Sequence, residues 1–188
     1  MCFSPIKYLI VDKTFGVFSM GKFKRLIVML TLGLCAASCF AKQICFQVVQ
    51  HDNSATDVTE QSLTIEDEVL NKFFEYGFIV TNAAAQVAVS DGSNEKIYKT
   101  GIGEAFNGFS DYFVQINLFF SKDENTTSSK SDLKKIDFSI ANAKTGTKLA
   151  DSCMENIKLE HKKDDLKKVS SNLVSEINKA LKENKTKA

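Results

Sequence analysis

The sequence has little of several residue types on which common activities depend. Of its 188 residues none is tryptophan, and its one proline and one arginine, Pro5 and Arg25, both precede residue 42. From Lys42 onward, 19 lysines stand against 22 acidic residues, which gives a formal charge of −3. Arginine supplies the bidentate hydrogen bonding that recognition of phosphate and guanine usually needs. A net-negative chain without arginine is therefore a poor candidate for nucleic-acid binding.

Motifs for catalysis and metal binding are also scarce. The two histidines, His51 and His161, have no second ligand at the spacing of a zinc motif. There is no Gly-x-Ser-x-Gly, and the segment from Gly101 to Phe106 departs from a dinucleotide fingerprint at its third glycine. His51 and Asp52 are adjacent on a predicted strand, where their side chains point to opposite faces. The sequence therefore predicts a protein that is not an enzyme, with no catalytic, cofactor or metal residues.

Residues 20–41 have the layout of a bacterial export signal. A basic start at residues 22 to 25 precedes a mostly apolar run from Leu26 to Ala37, and small residues follow it. The run is too short to span a bilayer, so cleavage is the expected outcome. We therefore expect an upstream extension over 1–19, a signal peptide over 20–41, one exported domain over 42–182 and a frayed tail over 183–188.

The sequence allows two cleavage sites and one disulfide. Cleavage after Ala41 releases a soluble protein, whereas cleavage before Cys39 follows from the likeness of residues 36–39 to a lipoprotein box and gives a lipidated cysteine. Both predict a periplasmic or outer-membrane location. Cys45 and Cys153 would remain in an oxidising compartment and can form a disulfide if the first and last strands lie close together.

The first half of the domain reads as a βαβ unit. Residues 44–50 are β-branched and aromatic, which predicts a strand. Apolar residues at helical spacing then predict a helix that starts at Thr64 as N-cap and ends at Gly77. Residues 78–81 predict a second strand, parallel to the first. Residues 83–93 have no clear pattern, and a second helix is expected over 94–106.

The second half reads as an antiparallel meander followed by a helix. Alternation from Tyr112 to Phe120 predicts a long strand, and the polar residues 121–132 predict a loop. Residues 136–141 and 148–155 predict two further strands joined by a turn. A closing helix over 164–182 has an apolar stripe formed by Leu166, Val169, Leu173, Val174, Ile177 and Leu181. The predicted class is α+β, with helices packed on a single mixed sheet.

Three short segments resemble a small envelope domain. They are Phe73-Phe-Glu-Tyr-Gly77-Phe-Ile-Val80, Phe109-Ser-Asp111-Tyr-Phe-Val114 and Ala143-Lys-Thr145-Gly146. With the order of elements, they resemble the α+β domain shared by the curli-secretion lipoprotein family, the lipoprotein activators of penicillin-binding proteins and the amino-terminal domain of the Tol-system propeller protein. The resemblance covers about residues 44–182. It implies a non-catalytic envelope domain that binds another protein or assembles with itself, without cofactor or nucleic acid.

Two other functions remain alternatives. One is a small-ligand binder or enzyme whose pocket lies at the carboxyl ends of the first two strands, near His51, Asp52, Thr81 and Asn82. The other is a surface-exposed adhesin or antigen. Contact with a membrane is expected only through a lipid on Cys39.

Overall fold

The computed structural model describes residues 41–52, 57–121, 132–159 and 162–185. The predicted upstream extension, the signal peptide up to residue 40 and the lipidation position Cys39 lie outside the described residues. So do His161, residues 122–131 of the predicted loop and residues 186–188 of the predicted tail. Among the described residues, no helix combines the length and the apolar character needed to cross a membrane.

The described residues form five strands and three helices. The strands are β1 (Gln43–His51), β2 (Ile79–Val87), β3 (Tyr112–Ser121), β4 (Asp132–Asn142) and β5 (Lys148–Met154); the helices are α1 (Glu60–Glu75), α2 (Asp91–Asn107) and α3 (Lys162–Lys185). They form one mixed sheet in the order β2-β1-β3-β4-β5. β1 runs parallel to β2 and β3, whereas β3, β4 and β5 are antiparallel. The predicted α+β class with a single mixed sheet is confirmed.

One face of the sheet, the two-helix face, carries the main core. Alternate strand residues such as Phe46 and Ile116 are fully buried there against Phe73 of α1 and Ile177 of α3. Burying each such side chain contributes about 1.5–3 kcal/mol. The closing helix thus packs on the domain through the predicted stripe, of which every member except Val169 is buried.

The opposite face, the one-helix face, is covered by α2 over β1, β2 and β3. One buried cluster on this face is made of small residues around one ring: Cys45, Ala83, Ala105 and Ala143 pack with Phe113. Val49, Ala88 and Ile97 form another. Gly101 lets the helix approach closely, because a Cβ there would stand 2.7 Å from Gln47 Oε1 and 2.8 Å from Phe113 Cε2. Gly101 therefore serves helix–sheet packing.

The N-cap of helix α1 lies five residues before the predicted one. The cap is Thr59, whose side chain accepts from Ser62 N, and Thr64 lies inside the helix. The reason is a tertiary contact: Gln50 Oε1, at the end of β1, accepts from Thr59 N at 2.8 Å and from Ser62 Oγ at 2.7 Å. The helix ends as predicted at Gly77, whose φ is +81°.

Strand β2 and helices α2 and α3 are longer than predicted. β2 continues through the alanine cluster to Val87, where four residues were expected. Ser90 caps α2 in a reciprocal pair with Ser93, so the helix begins at Asp91 rather than residue 94. Helix α3 extends to Lys185, which makes residues 183–185 of the predicted tail helical.

Candidate functional site

The four residues of the predicted pocket do not come together. Thr81 and Asn82 pair with Cys45 and Phe46 near the start of β1, whereas His51 ends that strand. His51 lies six positions after Cys45, which is about 20 Å of extended chain. Asn82 instead donates to Glu66 Oε1 at 2.7 Å, on the two-helix face. The expected pocket fails because β2 continues for six residues beyond Thr81.

His51 belongs to an ordered stack on the one-helix face. Its ring lies 4.4 Å from that of Phe119, centroid to centroid, with an angle of 16° between the planes. His51 Nε2 lies 3.0 Å from Asn117 Oδ1. Lys135 Nζ stands 5.1 Å from the Phe119 centroid and 3.0 Å from Asp137 Oδ2. The imidazole is therefore held in place by the amide of Asn117 and the ring of Phe119, which are packing and hydrogen-bonding contacts and not those of an acid–base pair.

The two cysteines among the described residues are free and lie far apart. Cys45 is buried on β1, and Cys153 is exposed on β5. β3 and β4 lie between their strands. Three inter-strand steps of about 4.8 Å already exceed the Cα separation of about 7 Å that a disulfide allows. The first and last strands are thus not close, which was the condition for the proposed bridge.

Burial raises the pKa of the Cys45 thiol, because the thiolate would be poorly solvated there. The pKa of Cys153 is also raised, first by partial desolvation and then by its hydrogen bond with the Glu155 carboxylate at 3.6 Å. Both shifts favour the protonated thiol over the nucleophilic thiolate. Neither cysteine has the environment of a catalytic nucleophile.

Metal ligands are also not assembled in the described ranges. No group of three or more His, Cys, Asp and Glu side chains able to hold a metal ion occurs within them.

A polar groove of about 770 Å³ lies on the one-helix face, between α2 and the β4–β5 half of the sheet. We call it the polar groove. Its floor includes Gln115 and Asn117 of β3 and Asp137 and Ser139 of β4, and Tyr98 of α2 forms part of its wall. Tyr98 packs against Phe113 with ring centroids 5.6 Å apart and hydrogen-bonds to Ser139. The groove exists because α2 packs over β1, β2 and β3, leaving this half of the face open.

The floor of the polar groove contains buried hydrogen-bonding groups without partners. Asn117 Nδ2 donates to Gln115 Oε1 at 3.4 Å, which extends the chain of contacts from His51. Gln115 is only 2% exposed, and its Nε2 has no partner among the described residues. The same holds for Asp137 Oδ1 on the neighbouring strand. Sequence reasoning did not single out Gln115 or Asp137, although the strand alternation places both on one face.

Large apolar side chains are exposed at the end of the domain where β1, β2 and β3 begin. Helices α1 and α2 both finish there. We call this surface the apolar end; it consists of Phe74, Tyr76, Ile79, Phe106 and Phe109, which are 54, 45, 51, 56 and 86% exposed. Ile79 pairs with Gln43, whose Nε2 donates to Gly108 O at 2.8 Å. This connection places the start of β2 beside the end of α2.

Phe109 occupies a backbone conformation that phenylalanine rarely adopts. Its φ is 59°, and the residue follows Gly108, the C-cap of α2. Phe109 N donates to Phe106 O at 3.1 Å and Ser110 N donates to Ala105 O at 2.9 Å, which is the Schellman pattern of a helix end. Glycine is the usual residue at this position, because a side chain there costs about 1–2 kcal/mol.

Comparison with known families places the chain. The model of a protein family described as "Uncharacterised protein" matches residues 43–183. The chain belongs to that family. The match covers β1 to α3 and so contains both the polar groove and the apolar end. No curated protein matches the chain.

Several solved structures resemble the fold at a distance. A PelC dodecamer from Paraburkholderia phytofirmans has 10% identity and a TM-score of 0.43, over 75% of this chain and 88% of that one. Lipoprotein GNA1162 from Neisseria meningitidis has 11% identity and a TM-score of 0.41, over 73% and 99%. A competence-damaged protein (CinA) superfamily protein from Enterobacter cloacae has 12% and 0.38, over 94% and 99%. Likeness at this level carries no argument about function.

Proposed function

We propose that this chain is an exported bacterial envelope protein that acts without catalysis, by binding another protein or a second copy of itself through the apolar end. The export signal predicted over residues 20–41 supports the location. The observation that carries the binding role is Phe109. It is 86% exposed and has a positive φ, so it violates two local preferences at one residue.

An exposed aromatic residue in an unfavourable backbone conformation often marks a functional surface. A solvent-exposed phenylalanine gains nothing in the isolated domain, and at a left-handed position it destabilises the helix end. The other four residues of the apolar end are each 45–56% exposed. Exposed aromatic side chains at one end of a domain are typical of the anchor residues of protein interfaces.

The apolar end also lies where the chain enters the domain. Ile79 N donates to Lys42 O at 3.0 Å, and Gln43 is tied to Gly108. If processing occurs after Ala41, the new amino terminus lies at this surface. If Cys39 is lipidated instead, the lipid is attached two residues before Ala41, within about 7 Å of chain, and the apolar end lies close to the membrane.

Intact mass of the protein purified from bacterial envelope tests the location. We expect either a chain that begins at Lys42 or a lipidated chain that begins at Cys39, with both thiols of Cys45 and Cys153 reduced. A full-length, unprocessed chain in the cytosolic fraction would contradict the proposal.

Phe109→Gly tests the binding role, because stability and binding should change in opposite directions. Relief of the positive φ should raise the free energy of unfolding by about 1 kcal/mol. Loss of the anchor should weaken capture of a stoichiometric envelope partner, or self-association measured by sedimentation. Val89→Ser is the matched control, because Val89 is 66% exposed and lies at the opposite end of β2. Unchanged association in Phe109→Gly would rule out the apolar end as the contact surface.

A further inference from the structure

The polar groove has the properties of a binding site that the proposed function does not use. It lies on the one-helix face, whereas the apolar end lies at the starts of β1, β2 and β3. Its volume of about 770 Å³ falls in the range of sites for small molecules, about 300–1,000 Å³.

The charges around the polar groove are already paired with one another. Lys135 Nζ lies 3.0 Å from Asp137 Oδ2, and Lys148 Nζ lies 3.2 Å from Asp151 Oδ1. Glu95 Oε1 is 2.6 Å from the ammonium of Lys99, one turn further along α2. The lining therefore offers no excess charge of one sign, which favours an uncharged ligand over an anion or a cation.

The unpaired groups on the floor are a donor, Gln115 Nε2, and an acceptor, Asp137 Oδ1, on neighbouring strands. Gln115 pairs with Ser139, and Asn117 pairs with Asp137, so Gln115 and Asp137 are diagonal neighbours, with Cα atoms about 7–8 Å apart. A buried polar group without a partner is destabilising, and a ligand that pairs with it removes part of that destabilisation. A hydroxyl or amide group of a ligand can accept from Gln115 Nε2 and donate to Asp137 Oδ1.

The lining distinguishes a sugar from a peptide or a lipid. None of its described residues is leucine, isoleucine or valine, so the walls lack the aliphatic pockets that peptide side chains and acyl chains occupy. The lining consists mostly of amides, carboxylates, hydroxyls and the two paired lysines, with the ring of Tyr98 as an amphipathic surface. Phe138 and Cys153 also line the groove, but the side chain of Phe138 is buried in the main core on the opposite face. We propose that the polar groove binds an uncharged glycan that carries hydroxyl and acetamido groups, with Gln115 and Asp137 as the central contacts.

The test uses N,N′-diacetylchitobiose as the probe and the purified protein, followed by NMR of the side-chain amide signals. We expect saturable shifts of the Gln115 amide signals, with a dissociation constant below about 10 mM. Gln115→Met keeps the volume of the side chain and removes the donor. It should weaken binding by at least about tenfold. The free energy of unfolding should stay nearly equal, because removal of the unpaired Nε2 offsets loss of the long 3.4 Å contact from Asn117 Nδ2.

Gln86→Met is the matched control, since it makes the same change on β2, outside the residues that line the polar groove. It should bind the disaccharide as the parent protein does. If Gln115→Met does not fold, Asp137→Leu, which removes both acceptor oxygens on the next strand, should show the same loss. Absence of saturable binding, equal binding by Gln115→Met and the parent protein, or tighter binding of trialanine than of the disaccharide would each overturn the proposal. Absence of saturable binding would mean that the unpaired groups of Gln115 and Asp137 hydrogen-bond only to water.

Discussion

Replacing Gly101 by alanine is expected to destabilise the domain, although alanine is the better helix former. In an exposed helix interior, the change from glycine to alanine stabilises by about 1 kcal/mol. At Gly101 the added methyl would stand 2.8 Å from Phe113 Cε2 and 2.7 Å from Gln47 Oε1, which real Cβ atoms essentially never do. Both neighbours are fully buried, so neither can move aside into solvent.

The size of the effect follows from two opposing terms. Overpacking of a filled core costs about 1–3 kcal/mol, and a rigid ring that faces the methyl places this site at the upper end. After the gain in helix propensity of about 1 kcal/mol is subtracted, Gly101→Ala should lose about 2 kcal/mol of unfolding free energy. Urea denaturation measures this loss as a lower midpoint at an unchanged slope.

Gly103→Ala, two residues further along the same helix, is the internal control. A Cβ there meets nothing within 4 Å, so the propensity gain stands alone and the variant should be about 1 kcal/mol more stable. The two substitutions are chemically identical and should have opposite signs. A neutral or stabilising Gly101→Ala would refute the close packing of α2 on the sheet.

Two further changes probe contacts that the sequence does not reveal. Gln50→Met should lower the free energy of unfolding, measured by urea denaturation, by about 2–3 kcal/mol, because the N–H of Thr59 and the hydroxyl of Ser62 lose their acceptor inside the protein. A loss below about 0.5 kcal/mol would show that this contact is not needed. Iodoacetamide should label Cys153 but not buried Cys45 in the native protein, at a rate that rises with pH only as the raised pKa is approached. Glu155→Gln should lower this pKa and speed the labelling at mildly alkaline pH, and an unchanged rate would contradict the role of that carboxylate.

The order of elements could be predicted because it is encoded locally. The alternation in β3 and β4 and the stripe of α3 specify which residues face the core. Gly77 marks the end of α1 through a backbone conformation that needs glycine. These signals act over a few residues, so a single sequence is enough to recognise them.

Boundaries and sites depend on contacts between distant segments, and there the predictions were incomplete. Thr64 has the local features of an N-cap, but the acceptor that sets the start of α1 is Gln50, nine residues before Thr59. The alanines of β2 have low strand propensity, yet Ala83 is 4% exposed, because α2 packs closely above it and leaves room only for small side chains. Because β2 was predicted to end at residue 81 rather than at Val87, the expected pocket was placed at residues that lie near the start of β1.

Both proposed surfaces follow from how three helices cover a five-stranded sheet. Helices α1 and α3 cover the two-helix face, whereas α2 alone packs over β1, β2 and β3 on the other, so the β4–β5 half stays polar and forms the polar groove. The apolar end arises separately, where α1 and α2 finish. Gln115 lies three residues inside β3 from Tyr112, about 10 Å along the strand, and Phe109 lies beyond its start. At that separation, the stability effects of Gln115→Met and Phe109→Gly should add to within about 0.5 kcal/mol, and neither change should affect binding at the other surface. Strong coupling between them would mean that the groove and the end are parts of one site.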